Sequence, residues 1–126
     1  MFLVDSSTSV GKYNFVEEIK FVKKLLSDFT VDENSTRVSV ITFSSRERVI
    51  RHVDYLSDVQ RFRHKCSLLD DLKKIDYSGG GTYTLGALQE AKVNINMDFQ
   101  RVVKSNFGNF KSKAFYFLIM LLKLSK

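Results

Sequence analysis

The strongest constraint on the fold is a short apolar run, Phe2-Leu3-Val4, that ends in the acidic residue Asp5. Consecutive apolar residues bounded by a polar segment are typical of a buried strand in an α/β sheet. Asp5 then stands at the carboxyl end of that strand, where open α/β sheets bind their ligands. The sequence therefore predicts a first strand over residues 2–5 that presents a carboxylate at the ligand-binding edge.

Two hydroxyl side chains, Ser7 and Ser9, follow this carboxylate at alternate positions. Residues at alternate positions can direct their oxygens at the same point as Asp5. Ligands that are all oxygen suit a hard cation, Mg²⁺ or Ca²⁺, and do not suit zinc. The residues alone leave an alternative open, because Ser and Asp are common in turns and at helix starts, where Ser7 or Ser9 would cap the next helix.

A glycine-rich segment, residues 79–88, forms a second motif farther along the chain. Together the two motifs resemble the metal-ion-dependent adhesion site of von Willebrand factor type A domains. The resemblance implies four ligands of one divalent cation, Asp5, Ser7, Ser9 and Thr82. It implies Mg²⁺, or Mn²⁺ or Ca²⁺, as the cation, and weak binding, because Asp5 is the only acidic ligand among the four.

The resemblance extends beyond the two motifs and covers residues 2 to about 92 in order, whereas it is weak over residues 93–126. The segments that carry it further are Lys24 to Phe29, Val53 to Tyr55, His64 to Cys66 and Tyr77 to Thr84. It implies a single partial von Willebrand factor type A domain over residues 1–126. The implied fold is a Rossmann-like α/β domain, truncated at its C-terminal end, with a mostly parallel sheet and one antiparallel edge strand.

The apolar patterns along the chain predict alternating strands and helices. Strands are expected over residues 2–5, 36–45, 48–53 and 114–122, and helices over residues 12–29, 58–74 and 84–99. The connection Arg46-Glu47 is too short for a parallel crossover, so the strands that flank it must pair antiparallel. The last strand is expected beside the first one.

Two helices have faces whose burial can be predicted from spacing. In the first helix the expected apolar stripe is Phe15, Ile19, Val22, Leu25, Leu26 and Phe29. The residues expected on its solvent-exposed face are Glu17, Glu18, Lys20, Lys23 and Lys24. In the second helix the expected buried face is Phe62, Cys66, Leu69 and Leu72.

The chain departs from the family pattern near its end. The fourth strand of the family commonly ends in Thr-Asp-Gly, whose Asp supports the metal. The corresponding segment here, residues 119–122, is Ile-Met-Leu-Leu, and no acidic residue follows position 100. Loss of that carboxylate is expected to weaken cation binding further.

The distribution of charge and the length of the apolar runs argue against two classes of partner, nucleic acid and the membrane interior. The net charge of +6 arises in residues 101–126, which hold six Lys and Arg residues and no acid. These residues are scattered between apolar runs rather than clustered, so nucleic-acid binding is not expected. The apolar run at residues 114–122 is far shorter than the roughly 20 residues of a membrane-spanning helix, so no membrane insertion is expected.

The resemblance implies a non-enzymatic adhesion module that binds a carboxylate on a protein or extracellular-matrix ligand through the metal site. One alternative is a structural fragment with a degenerate site that binds no metal. Another is a phosphotransferase that forms an aspartyl phosphate at Asp5. That chemistry needs a Lys and further acids around the metal, which the sequence does not place, and a phosphate-binding P-loop motif is absent.

The resemblance implies an extracellular location for this module as part of a longer precursor. No signal peptide is expected within this sequence, because residues 1–4 lead at once into Asp5, without a basic leader or a long apolar core. The only cysteine, Cys66, has no partner for an internal disulfide. In an oxidising compartment it would need a partner from outside this chain.

Overall fold

A computed structural model of the chain describes residues 1–31, 36–54, 65–105 and 119–121, with side chains as far as position 97. The strands in these residues are β1 (Phe2–Asp5), β2 (Ser39–Phe43), β3 (Val49–Asp54) and β4 (Ile119–Leu121). The helices are α1 (Gly11–Ser27), α2 (Lys65–Lys73) and α3 (Thr84–Ser105). None of these helices has the length and apolar character needed to cross a membrane.

The four strands form one sheet in the order β3-β2-β1-β4. β1 pairs in parallel with β2 and with β4, whereas β2 and β3 pair antiparallel. The predicted fold class is confirmed, because the sheet is mostly parallel and its antiparallel strand lies at an edge. β4 lies beside β1 as expected. Leu121, the last residue of β4, pairs with Val4, the residue that precedes Asp5.

Both faces of β1 are covered by apolar side chains. Phe2 and Val4 pack into a core with residues of α1 and α2. Leu3 packs into a second core with Ile41 of β2 and with small residues of α3. Because apolar side chains cover both faces of β1 and neighbouring strands pair with both of its edges, β1 can present a polar side chain to a ligand only at its end.

Helix α1 buries most of the predicted stripe, namely Phe15, Ile19, Val22 and Leu26. Phe29 lies beyond the end of the helix and is 46% exposed, so its predicted burial was wrong. The prediction that Glu18 lies on the solvent-exposed face was also wrong, because this side chain is half-buried. Glu18 follows Phe15 by three positions and therefore lies at the border of the apolar stripe.

Helix α2 corrects the prediction for Cys66. Leu68 and Leu72 are buried and Leu69 is partly buried, whereas Cys66 is exposed. At 3.6 residues per turn, position 66 lies on the opposite side of the helix from position 68. The predicted start of this helix, residues 58–64, falls outside the described residues.

Most remaining element boundaries agree with the sequence to within a few residues. The strands predicted over 36–45 and 48–53 are observed at Ser39–Phe43 and Val49–Asp54. Helix α3 continues to Ser105, six residues past its predicted end at residue 99. For the predicted strand 114–122, the structure describes residues 119–121 only.

Close packing of α3 on β3 at Gly86 gives a testable consequence. A Cβ added at Gly86 would lie 2.2 and 2.4 Å from two ring carbons of Tyr83 and 3.2 Å from Cγ2 of Val49. We expect Gly86→Ala to lower the free energy of unfolding by about 1–3 kcal/mol, because overpacking forces neighbours to shift. Urea denaturation measures this change.

Gly81→Ala is the matched control, because nothing lies within 4 Å of a Cβ added there. It is expected to leave the urea midpoint nearly unchanged. Equal midpoints for the two variants would show that the Tyr83 ring moves aside at little cost, and that Gly86 is not required for the docking of α3.

Candidate metal site

Asp5 is held at the carboxyl end of β1 with only 3% of its surface exposed. The backbone N–H of Ser7 donates a hydrogen bond to Oδ1 of Asp5 over 2.8 Å. This bond turns the chain back over the end of the strand, in the manner of an Asx turn. It occupies one acceptor site of Oδ1, and the carboxylate keeps further acceptor sites for a cation.

The two serines after Asp5 have their hydroxyls side by side. Oγ of Ser7 and Oγ of Ser9 lie 3.0 Å apart, with Ser7 buried and Ser9 exposed. The structure thus brings Asp5, Ser7 and Ser9 together in one turn. Neither serine caps α1, because the N-cap position of that helix is Val10 and no side chain makes a capping hydrogen bond there.

The glycine-rich segment docks on this turn through a reciprocal pair of hydrogen bonds. The N–H of Thr8 donates to the carbonyl of Gly80 over 2.9 Å, and the N–H of Gly80 donates to Oγ1 of Thr8 over 2.8 Å. Gly79 and Gly80 have φ angles of 66° and 93°, which glycine adopts without strain. The hydroxyl of Tyr77 also donates to the carbonyl of Ser7 over 3.2 Å.

Thr82 lies at the exposed rim of this arrangement. Its neighbour Tyr83 is anchored, because the N–H of Tyr83 donates to the carbonyl of Ser44 over 2.6 Å. Within the described part of the chain, the Thr82 side chain forms no hydrogen bond to Asp5, Ser7 or Ser9. The structure gathers Asp5, Ser7 and Ser9, and the role of all four residues as metal ligands stays a prediction.

Three serines that the sequence analysis missed join the loops around Asp5. Oγ of Ser78 lies 3.0 Å from Oγ of Ser6 and 3.0 Å from Oγ of Ser44. The N–H of Ser78 donates to Oγ of Ser6 over 2.8 Å. Ser6 and Ser44 each follow directly after a parallel strand, and that shared position is the signal that could have identified them.

Glu18 is an acidic side chain whose environment the sequence did not reveal. Its Oε2 atom is buried and has no hydrogen-bond partner among the residues described. Burial raises the pKa of Glu18 to about 7, and the negative charge of Asp5 acts in the same direction. Part of the Glu18 population is therefore neutral near physiological pH.

The donors at this site fit a hard divalent cation. Asp5, Ser7 and Ser9 supply oxygen only, the donor type that Mg²⁺, Mn²⁺ and Ca²⁺ prefer. The residues described contain no cluster of three or more His, Cys, Asp or Glu side chains placed to hold a metal. Among the candidate ligands Asp5 alone is charged, so the remaining donors would be neutral hydroxyls.

Comparison with known proteins agrees with the two motifs and the sheet topology. The model of the von Willebrand factor type A domain matches residues 1–107. The chain belongs to this family. Domains of the family typically serve in adhesion and protein binding, and they often bind a divalent metal at the metal-ion-dependent adhesion site.

Several proteins are similar to this chain over most of its length. It is 54% identical over 92 residues to "Sushi, von Willebrand factor type A, EGF and pentraxin domain-containing protein 1" of Rattus norvegicus, a match that covers 72% of this chain and 3% of that protein. It is 29% identical over 90 residues to vitrin of Homo sapiens, covering 71% of this chain and 12% of vitrin. The chain thus spans a small fraction of the length of the relatives it matches.

A solved structure supports the fold. Proximal thread matrix protein 1 from the mussel byssus, determined with a zinc-occupied metal-ion-dependent adhesion site, matches with a TM-score of 0.65. The match covers 94% of this chain and 27% of that chain at 18% sequence identity. At this identity the likeness establishes the shared fold alone.

The raised pKa of Glu18 predicts how stability changes with pH. The pKa moves from 4.5 to about 7 on folding, so between these values the folded state binds more protons than the unfolded state. The contribution of Glu18 to stability is therefore full below about pH 4.5 and is lost as pH rises through about 7. We expect Glu18→Gln, which is neutral throughout, to be more stable relative to the native chain at pH 8 than at pH 5.

Urea denaturation of both proteins between pH 5 and pH 8 measures this difference. The comparison cancels other titrating groups, such as the N-terminal amine, whose pKa burial lowers to about 6. Glu17→Gln is the matched control, because Glu17 is the neighbouring residue on α1 and is exposed. A stability difference that does not change with pH for Glu18→Gln would show that water reaches the Glu18 carboxyl.

Proposed function

We propose that this chain is a non-enzymatic protein-binding module that uses a divalent cation to bind an acidic group of a protein or matrix ligand. The proposed cation ligands are Asp5, Ser7, Ser9 and Thr82. The observation that carries the proposal is the turn after β1, where the Asp5 carboxylate and the hydroxyls of Ser7 and Ser9 come together. The docked glycine-rich segment supports the proposed part of Thr82 by holding its backbone beside this turn.

The electrostatics of the proposed ligands explain why an acidic partner is favoured. One carboxylate and neutral hydroxyls offset only part of a double positive charge. A carboxylate from a partner would supply both the missing charge and another oxygen ligand. Because Asp5 is nearly excluded from water, these attractions act in a medium of lower effective dielectric than bulk water.

The donor chemistry favours Mg²⁺, Mn²⁺ or Ca²⁺ as the cation. Zinc prefers nitrogen and sulfur ligands, and none is among the proposed four. The zinc in proximal thread matrix protein 1 is a property of that structure. With one acidic ligand, the affinity is expected near or below that of the weakest extracellular Ca²⁺ modules, with Kd about 10⁻⁴–10⁻³ M or higher.

The relatives support the absence of catalysis and the place where the module acts. Von Willebrand factor type A domains of matrix proteins are typically non-enzymatic. The similar proteins include secreted and extracellular-matrix proteins. We therefore propose an extracellular binding role for this chain, with neither nucleic acid nor membrane lipid as a partner.

Removal of the Asp5 charge tests the proposed site. We expect Asp5→Asn to abolish binding of Mg²⁺, Mn²⁺ and Ca²⁺, because it leaves only neutral oxygens around a divalent ion. The amide oxygen of Asn can still accept the bond from Ser7 N–H, so the turn is expected to persist. Ser7→Ala, Ser9→Ala and Thr82→Ala are expected to weaken binding less. Isothermal titration calorimetry with each cation measures these affinities.

Asp71→Asn is the matched control, because Asp71 lies on α2 and forms an exposed ion pair with Lys74. It is expected to bind cations as the native chain does. Circular dichroism of every variant verifies that the fold is retained. If Asp5→Asn and the native chain give the same titration, the site holds no cation, and a structural fragment without a metal becomes the better description.

A further inference from the structure

An arginine stands beside the proposed cation site at the same edge of the sheet. Arg46 lies in the turn between β2 and β3, just past Phe43, which pairs with Asp5. Its guanidinium carbon lies 5.3 Å from the centroid of the Tyr83 ring. This distance is within the range of a cation–π interaction, which arginine forms readily. The contact holds a positive charge against the side chain of Tyr83, the residue that follows Thr82 in the sequence.

The Tyr83 ring is itself fixed in place. Its backbone N–H is bonded to the carbonyl of Ser44, and its ring lies against Gly86, where even a Cβ would collide with it. Gly80 also lies against the β2–β3 turn, because a Cβ added there would meet Ser45 at 3.7 Å. The turn that carries Arg46 and the segment that carries Thr82 therefore form one continuous rim.

The guanidinium of Arg46 is exposed, and it forms no ion pair within the described ranges of the chain. By contrast, Nη1 of Arg48 donates to the carbonyl of Ser78 over 2.8 Å and so helps to hold the loops together. Among the described residues Arg46 makes no such structural bond, and its guanidinium contacts the Tyr83 ring. It is thus a positioned positive charge that remains available to a partner.

We propose that Arg46 binds a second acidic group of the ligand, so that the module selects acidic protein segments with two carboxylates a few residues apart. This inference rests on the proposed function, in which the first carboxylate completes the cation site. Exposed Glu47 follows Arg46 directly in the same turn, so positive and negative charges alternate there. A protein segment with discrete acidic side chains fits this alternation better than a uniformly anionic polysaccharide does.

Titration of the ¹⁵N-labelled full chain with two end-capped glycine hexapeptides in MgCl₂ tests the inference by NMR. One peptide contains a single Asp, and the other adds a Glu three positions later. We expect the two-carboxylate peptide to bind about two- to fivefold more tightly, the gain typical of an exposed ion pair. Arg46→Gln is expected to remove this preference while the one-carboxylate peptide still binds. Lys92→Gln is the matched control for net charge, because Lys92 is exposed on α3, and it is expected to keep the preference.

The outcomes separate this inference from the proposed function. If both peptides bind in MgCl₂ with equal affinity, or if Lys92→Gln removes the preference as Arg46→Gln does, Arg46 is not a specific anchor and the proposed function stands. If neither peptide binds, or if binding is the same in EDTA, the proposed function fails and this inference fails with it. Binding of a heparin-derived oligosaccharide that is lost in Arg46→Gln and unaffected by EDTA would replace the protein segment by a glycan.

Discussion

The burial of β1 between two parallel neighbours is the constraint on which the candidate site depends. Leu3 and Val4 are fully buried, and β2 and β4 occupy the two edges of the strand. A strand that is buried on both faces and paired at both edges can carry a polar residue only at its end, where the chain leaves the sheet. Asp5 occupies that point, and its carboxylate remains almost free of solvent because apolar layers continue on both sides of the sheet. The same burial that stabilises the fold therefore sets the electrostatic environment of the site.

The loops at this edge are held together mainly by residues other than the candidate ligands. Buried polar groups need hydrogen-bond partners, and here Ser6, Ser44 and Ser78 satisfy one another across three separate segments. The reciprocal bonds between Thr8 and Gly80 add a further contact. The loops are thus positioned before any ligand binds, which lowers the ordering cost of binding. Among the residues that the structure describes, the exposed oxygens of Ser9 and Thr82 form no bond between the loops.

The sequence predicted the parts of the structure that depend on local periodicity and chain connectivity. The apolar run before Asp5 identified β1, and the short connection at Arg46-Glu47 required the antiparallel pair of β2 and β3. Features that depend on packing between elements were missed. Glu18 lies at the border of an apolar stripe, where residue spacing alone does not determine whether the side chain is exposed or buried. The pairing of Ser78 with Ser6 joins residues 72 positions apart, and no local pattern contains that information.

The proposed site also illustrates a balance between holding a cation and attracting a ligand. A second fixed carboxylate would strengthen cation binding, but it would also neutralise the charge that draws an acidic partner. In this chain the acidic residues end before position 101, so β4 and the residues after it supply no such group. Asp5 alone would leave the cation with net positive charge, at the expense of affinity for the metal. A site of this kind gains from a ligand that brings its own negative charge, because cation and ligand would then stabilise each other's binding. Weak affinity for the cation alone is therefore compatible with a firm ternary complex of chain, cation and acidic partner.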